Sequence, residues 1–254
     1  MAESRGCPMT PDIQHALLLC GLFLVAVAYS AVGHGGASGY LALLAFTAMP
    51  TKEASTLSLG MNVVVSFIAF VLFRRAKYFD WALAWPFLLG SVPMAFLGGS
   101  LKLSDSLHQW ILAAVLLYAG ITLLLRNPQE STDLVEVPIT WRIATGVGVG
   151  LLSGMVGVGG GIFLSPLMIL LKWADLKRTA AITALFILLN SVAGLAARSR
   201  SDLTTIPLHS DTLAIAIFGA LLGAWLGSRK INDANLRKLL GVVLLFAVIK
   251  LTTR

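Results

Sequence analysis

Gly33-His34-Gly35-Gly36 and Gly157-Val158-Gly159-Gly160-Gly161 decide how this chain folds, because each interrupts an apolar run too long to be one helix. Bare glycine backbone cannot satisfy itself in hydrocarbon, so at bilayer depth it is tolerated only where protein or a water-filled cavity surrounds it. Two such knots, about half a chain apart, predict a helix broken inside the membrane and then duplicated. They are the first candidates for a substrate site.

Working outward, 57% hydrophobic residues, 12% charged residues and a mean hydropathy of +0.85 exceed what one soluble core can hide. Apolar stretches free of acid run over Ile13 to Met49, Ala54 to Phe73, Trp81 to Leu101, Ser106 to Leu125, Ile139 to Leu171, Thr179 to Ala197, Thr212 to Ser228 and Ala234 to Ile249. These eight segments predict an all-α polytopic membrane protein and leave no room for a soluble domain. Arg5 ahead of the first run, with small residues near Ala28, superficially resembles a secretory signal, but the run flows into the knot and reads as an uncleaved helix. Cys7 and Cys20 are too few for a disulfide framework.

The chain divides at the polar linker 128–138, giving a first transmembrane repeat over 1–127 and a second over 139–254. Gly33-x-Gly35-Gly36 superposes on Gly157-x-Gly159-Gly160, Thr56-Leu57-Ser58 on Ala181-Ile182-Thr183, Ser66 on Ser191, and Gly90 and Gly98 on Gly219 and Gly227. The kept order points to internal duplication.

Segments one and five are each too long for one crossing, since a core of ~30 Å needs roughly 20 helical residues. If both cross and return, giving ten crossings, one end of the molecule receives twelve of the 19 basic residues, among them Arg74, Arg75, Lys77, Arg142, Lys172, Lys177 and Arg178. The other end receives seven, among them Lys52, Lys102 and Arg198. Single crossings would give eight crossings and a split of ten against nine of those 19, so the positive-inside rule favours the return. The two halves are then inverted repeats, with both termini outside the cytoplasm. Orientation thereby accounts for the net charge of +7 and the pI near 9.7, and nucleic acid is not an expected partner.

Consecutive glycine N–H groups at the start of a short helix make a positively polarised nest for an anion. The alternative is that glycines only let helices approach, as Gly146, Gly150 and Gly154, spaced by four, are expected to do. The expected substrate-binding set is Gly33, His34, Gly35, Gly36 and Ser38 around the first knot and Gly157, Gly159, Gly160 and Gly161 in the second. Polar side chains on the helices that follow complete it: Ser58, Asn62 and Ser66 at four-residue spacing, then Thr183, Asn190 and Ser191.

His34 is the titratable group placed deep within an apolar segment, where the second knot has Val158. It reads either as a hydrogen-bond donor or proton carrier, its reference pKa of ~6.5 suiting both, or as a neutral ring held by a carbonyl freed at the break. All twelve acids, by contrast, lie in loops or at segment ends, which favours an anion over a cation as cargo. Gly36-Ala37-Ser38-Gly39 also fits the GxSG pattern of intramembrane serine proteases, a remote alternative because only His34 stands near as a base. No catalytic residue, metal ligand set or cofactor is expected. The expected partners are a small anion and the lipid bilayer, and a second copy of the chain stays open.

The run Gly150-Leu-Leu-Ser-Gly154-Met-Val-Gly157-Val-Gly159-Gly160-Gly161-Ile-Phe-Leu-Ser-Pro166-Leu, followed by Arg178-Thr-Ala-Ala-Ile-Thr183, resembles the sulfite exporter TauE/SafE family, also called the toluene sulfonate uptake permease family. The first half departs from that motif by His34 within the knot and Ala37-Ser38 after it. This resemblance implies a permease of the bacterial inner membrane that moves sulfite, sulfoacetate or another organosulfonate. Export of a monovalent anion from an inside-negative cell gains ~2.3 kcal/mol per 100 mV and needs no coupling ion. Export by alternating access is therefore the expected mode, with an anion-selective channel and proton-coupled uptake as alternatives.

Overall fold

The computed structural model describes residues 11–47, 49–101, 104–125, 134–199, 210–229 and 249. Those residues form helices and connections, with no strand among them: α1 (Pro11–Ala31), α2 (Ala37–Leu44), α3 (Thr51–Arg75), α4 (Trp81–Ser100), α5 (Asp105–Leu125), α6 (Ile139–Val156), α7 (Gly161–Leu170), α8 (Leu176–Ser199) and α9 (Ser210–Arg229). The eighth apolar segment, Ala234 to Ile249, apart from Ile249 itself, and most of the linker lie outside the described residues. Helices α3, α4, α6, α8 and α9 are long and apolar enough to cross a membrane.

Local chemistry sets the helix ends. Asp80 caps α4 by accepting the Leu83 N–H at 3.2 Å, and Asp175 caps α8 by accepting the Arg178 N–H at 2.8 Å. Helix α3 ends in paired reverse bonds, Tyr78 N–H to Phe73 O and Lys77 N–H to Arg74 O, with Lys77 at φ 64 where glycine is usual.

Both long segments break at their knots and double back. Leu43 of α2 lies beside Gly21 of α1, while Gly39 lies beside Val25, so α2 runs antiparallel to the second half of α1. In the other half, the Val135 N–H donates to Lys172 O at 2.8 Å, which ties the chain entering α6 to the chain leaving α7. The returning limbs have 8 and 10 residues, or ~12 and ~15 Å, about half of a hydrocarbon core. Each broken segment is therefore a hairpin whose tip lies inside the bundle.

Helices α3 and α8 stand at the centre and run antiparallel, with Thr56 beside Arg198, Leu59 beside Gly194 and Asn62 beside Ser191. Around them the halves interleave. Gly146, Gly150 and Gly154 of α6 lie on the backbone of Phe87, Ser91 and Ala95 in α4, and Gly219, Gly223 and Gly227 of α9 lie on Phe23, Val27 and Ala31 in α1. Lipid tails are as apolar as leucine, so this close backbone approach, worth ~0.1–0.2 kcal/mol per atom pair over many pairs, holds the bundle together. Leu24, Trp110 and Phe218 point outward as the lipid-facing surface.

Candidate functional site

The knots are built from left-handed backbone. Gly36 (φ 96) and Gly160 (φ 80) cap the half-helices α2 and α7, and Gly33, Gly157 and Gly159 also have positive φ. A side chain costs roughly 1–2 kcal/mol per residue in that conformation, which is why the reversal needs glycine. The N–H groups of Gly35, Gly36, Gly159 and Gly160 are buried and, among the described residues, meet no acceptor. They lie at helix N-termini, where the backbone dipoles favour negative charge.

Asn62, fully buried near the middle of α3, locks the knots together. Its Oδ1 accepts the Ala37 N–H at the start of α2 (2.9 Å), and its amide donates to Val158 O in the second knot (3.2 Å) and to Ser191 Oγ (3.4 Å). A Cβ added to Gly159 would stand 2.6 Å from Asn62 Nδ2 and 2.8 Å from the Ile187 Cγ2 methyl. One added to Gly35 would stand 2.9 Å from that same methyl. Both knots therefore close on one Asn62–Ile187 pair. In the register that matches Ser66 to Ser191, Ile187 is the counterpart of Asn62, so one half contributes an amide where the other contributes a methyl.

His34, partly buried, bridges the halves. Its Nδ1 donates to Val32 O at 3.0 Å, since a carbonyl only accepts, and this leaves Nε2 to accept from Ser165 Oγ of α7 at 3.0 Å. The Tyr29 ring stands edge-on, 6.2 Å away. Both readings of His34 find a feature here: a freed carbonyl holds the ring, and the ring reaches the second half-helix, 3.5 Å from where a Cβ on Gly161 would lie.

The remaining expected residues divide. Thr183 faces the first knot, donating to Thr179 O at 2.7 Å with Gly33 O at 3.5 Å. Ser66 donates to the Asn62 carbonyl, which spends its hydroxyl within α3. Ser38 donates to the Tyr29 hydroxyl at 2.9 Å, which turns it toward α1. Ser58 Oγ and both polar atoms of Asn190 are buried without a hydrogen-bond partner among the described residues. A buried amide with neither end satisfied costs several kcal/mol, which sets Asn190 apart from Asn62, whose amide is fully engaged.

Two residues at the knots escaped the sequence reading. Ser165 was one, four residues after Gly161 and so on the same face of α7. Arg198 was the other, counted with the charges at segment ends, yet its residue is only 8% exposed and is the one buried charge among the described residues. Its guanidinium turns back to Gly154 O (3.3 Å) and Thr56 Oγ1 (3.4 Å), and a Cβ on Gly157 would lie 2.8 Å from Nη2. The available signal was spacing: Arg198 stands seven residues, two helical turns, beyond Ser191.

A profile of the family described as sulfite exporter TauE/SafE matches residues 17–251, both knots and both half-helices included. The chain belongs to the sulfite exporter TauE/SafE family. A curated relative, the "Probable membrane transporter protein y4hK" of Sinorhizobium fredii (strain NBRC 101917 / NGR234), is 32% identical over 245 residues, covering 94% of this chain and 99% of that protein. No solved structure matches the chain. This TauE/SafE protein is a multi-pass membrane transporter of the bacterial inner membrane.

Proposed function

We propose that this TauE/SafE protein exports a small sulfur-containing anion, sulfite, sulfoacetate or another organosulfonate, by alternating access around the two glycine knots. The observation that carries the reading is the convergence of two half-helix N-termini, with the buried N–H groups of Gly35, Gly36, Gly159 and Gly160, on the Asn62–Ile187 pair. Four donors and two positive dipole ends suit an oxyanion, while the absence of a buried carboxylate among the described residues removes the repulsion such a ligand would otherwise meet. The two halves act as inverted repeats, and the antiparallel α3–α8 pair is the seam along which one rocks against the other.

The test is efflux from proteoliposomes loaded with sulfite, sulfoacetate, taurine or a carboxylate analogue, at two pH values and under an imposed potential. Saturable efflux of the sulfur oxyanions that accelerates with inside-negative potential is expected. Flux that rises linearly with concentration assigns the scaffold to a channel, and efflux of carboxylates alone overturns the substrate class. A second reading, proton-coupled uptake, is favoured by the His34–Ser165 contact between the halves. Uptake that requires an inward proton gradient would select it.

A further inference from the structure

Beyond the knots, the membrane end where α3 stops and α4 and α8 begin carries two adjoining cavities. The larger, about 880 Å³, is lined by Lys77, Tyr78, Asp80, Trp81, Trp85 and Arg178, together with Phe79 and Ala82. The smaller, about 620 Å³, shares Lys77, Phe79 and Trp81 with it and adds Arg74. We propose that this pocket binds an anionic glycerophospholipid, its phosphate on Lys77 and Arg178 and an acyl chain along Trp81, Trp85 and Leu89.

Charge is the first support. Three cations, Arg74, Lys77 and Arg178, face one carboxylate, Asp80, whose Oδ1 is taken by the Leu83 N–H as the α4 cap. Among the described residues no carboxylate is paired with Arg74 or Lys77, and Arg178 meets Asp175 through Nε at 3.4 Å, both side chains being about half exposed. A guanidinium at the cavity wall can take an oxyanion as a fork. A neighbouring cation is engaged elsewhere: Lys177 lies on the Tyr78 ring and donates to its hydroxyl at 3.2 Å.

Local geometry is the second support. The left-handed C-cap that closes α3 at Lys77 (φ 64) sets that residue in the wall of both cavities.

An apolar track selects lipid over a free anion. Trp81 (60% exposed), Trp85 (36%) and Leu89 (58%) succeed each other at four-residue spacing, so one face of α4 carries an open hydrocarbon surface away from the cations. A soluble oxyanion has no use for that track. A phospholipid fills both, and basic pockets between helices at a membrane surface, bordered by tryptophan, are suited to such headgroups.

The full chain, delipidated in neutral detergent, would be titrated with phosphatidylglycerol or with phosphatidylcholine of the same acyl chains, bound lipid being read by native mass spectrometry. A third arm replaces lipid with inorganic phosphate, read by thermal shift. Wild type is expected to retain phosphatidylglycerol about tenfold better than phosphatidylcholine, since each cation near the surface adds to the attraction. Lys77→Gln/Arg178→Gln should lose that preference, while Arg229→Gln, on a helix end outside the pocket, should keep it. Equal preference in wild type and the double variant overturns the proposal, as does an equal loss in Arg229→Gln. Stabilisation by inorganic phosphate that matches phosphatidylglycerol overturns it in favour of a free-oxyanion site. If the double variant is not monodisperse, Arg178→Gln and Trp85→Ala are read singly, the first expected to lower headgroup preference and the second to lower retention of both lipids. Neither readout depends on transport, so the result stands apart from the identity of the exported anion.

Discussion

His34 Nε2 and Ser165 Oγ meet 3.0 Å apart, although 131 residues separate them in the chain. The Val32 carbonyl holds the Nδ1 proton, so the neutral ring accepts from Ser165; a protonated ring must donate, and the hydroxyl has to turn round. Ser165→Ala should lower stability by about 1 kcal/mol, read as a shift in thermal unfolding in detergent. His34→Gln should flatten the dependence of anion flux on pH between about 5 and 8, the interval in which histidine changes charge. A pH profile unchanged in His34→Gln removes histidine from the cycle.

Asn62 serves two knots with one side chain. Asn62→Ala strands the Ala37 N–H and the Val158 carbonyl in the interior, at roughly 1–3 kcal/mol each. The expected outcome is a protein that inserts but unfolds at lower temperature and has lost transport. Asn62→Asp keeps the acceptor for Ala37, removes the donor to Val158 and adds negative charge at the anion site. It should abolish flux at least as completely, and normal flux in Asn62→Asp would exclude an anion at the knots.

Gly159→Ala brings a methyl within 2.6 Å of Asn62 Nδ2 on backbone that already disfavours a side chain. Membrane fractionation should find normal insertion, while the thermal shift given by sulfite or sulfoacetate disappears. Gly148→Ala is the control, since a Cβ there meets nothing within 4 Å.

Arg198 offers a test of charge against shape. Arg198→Gln keeps polar contact to Gly154 O and Thr56 Oγ1 but removes the cation beside Gly157. Anion flux should fall about tenfold, equivalent to ~1.4 kcal/mol, with Arg198→Lys intermediate because one ammonium cannot copy the fork. Equal flux in all three proteins would leave Arg198 a purely architectural clamp on α6.

Hydrophobic length and glycine chemistry made the breaks legible: segments over Ile13 to Met49 and Ile139 to Leu171 had to bend, and they bend at 33–36 and 157–160. The Gly146-Gly150-Gly154 stripe likewise read correctly as packing, because four-residue spacing of small residues has one physical use. Asn62 was legible as inward-facing, but not as a clamp, since its partners include backbone groups freed at the two breaks, Ala37 N–H after the first and Val158 O in the second. Arg198 was misplaced for a related reason. Proximity to a segment end gives axial position, whereas burial depends on which way a long side chain folds, and here it folds inward.

The interleaving of α4 with α6 and of α1 with α9 has a consequence for biogenesis. When α1 leaves the ribosome, the helix whose glycines fit its backbone is still nearly two hundred residues from synthesis, Gly219 to Gly227 being met by Phe23 to Ala31. Neither half can assemble its own entrance helix, and α1 must wait in the bilayer, or under the care of an insertase, until α9 arrives. A ribosome stalled ahead of α9 should therefore leave a protease-sensitive nascent chain, and two separately encoded halves should reach a folded state only when made in the same cell.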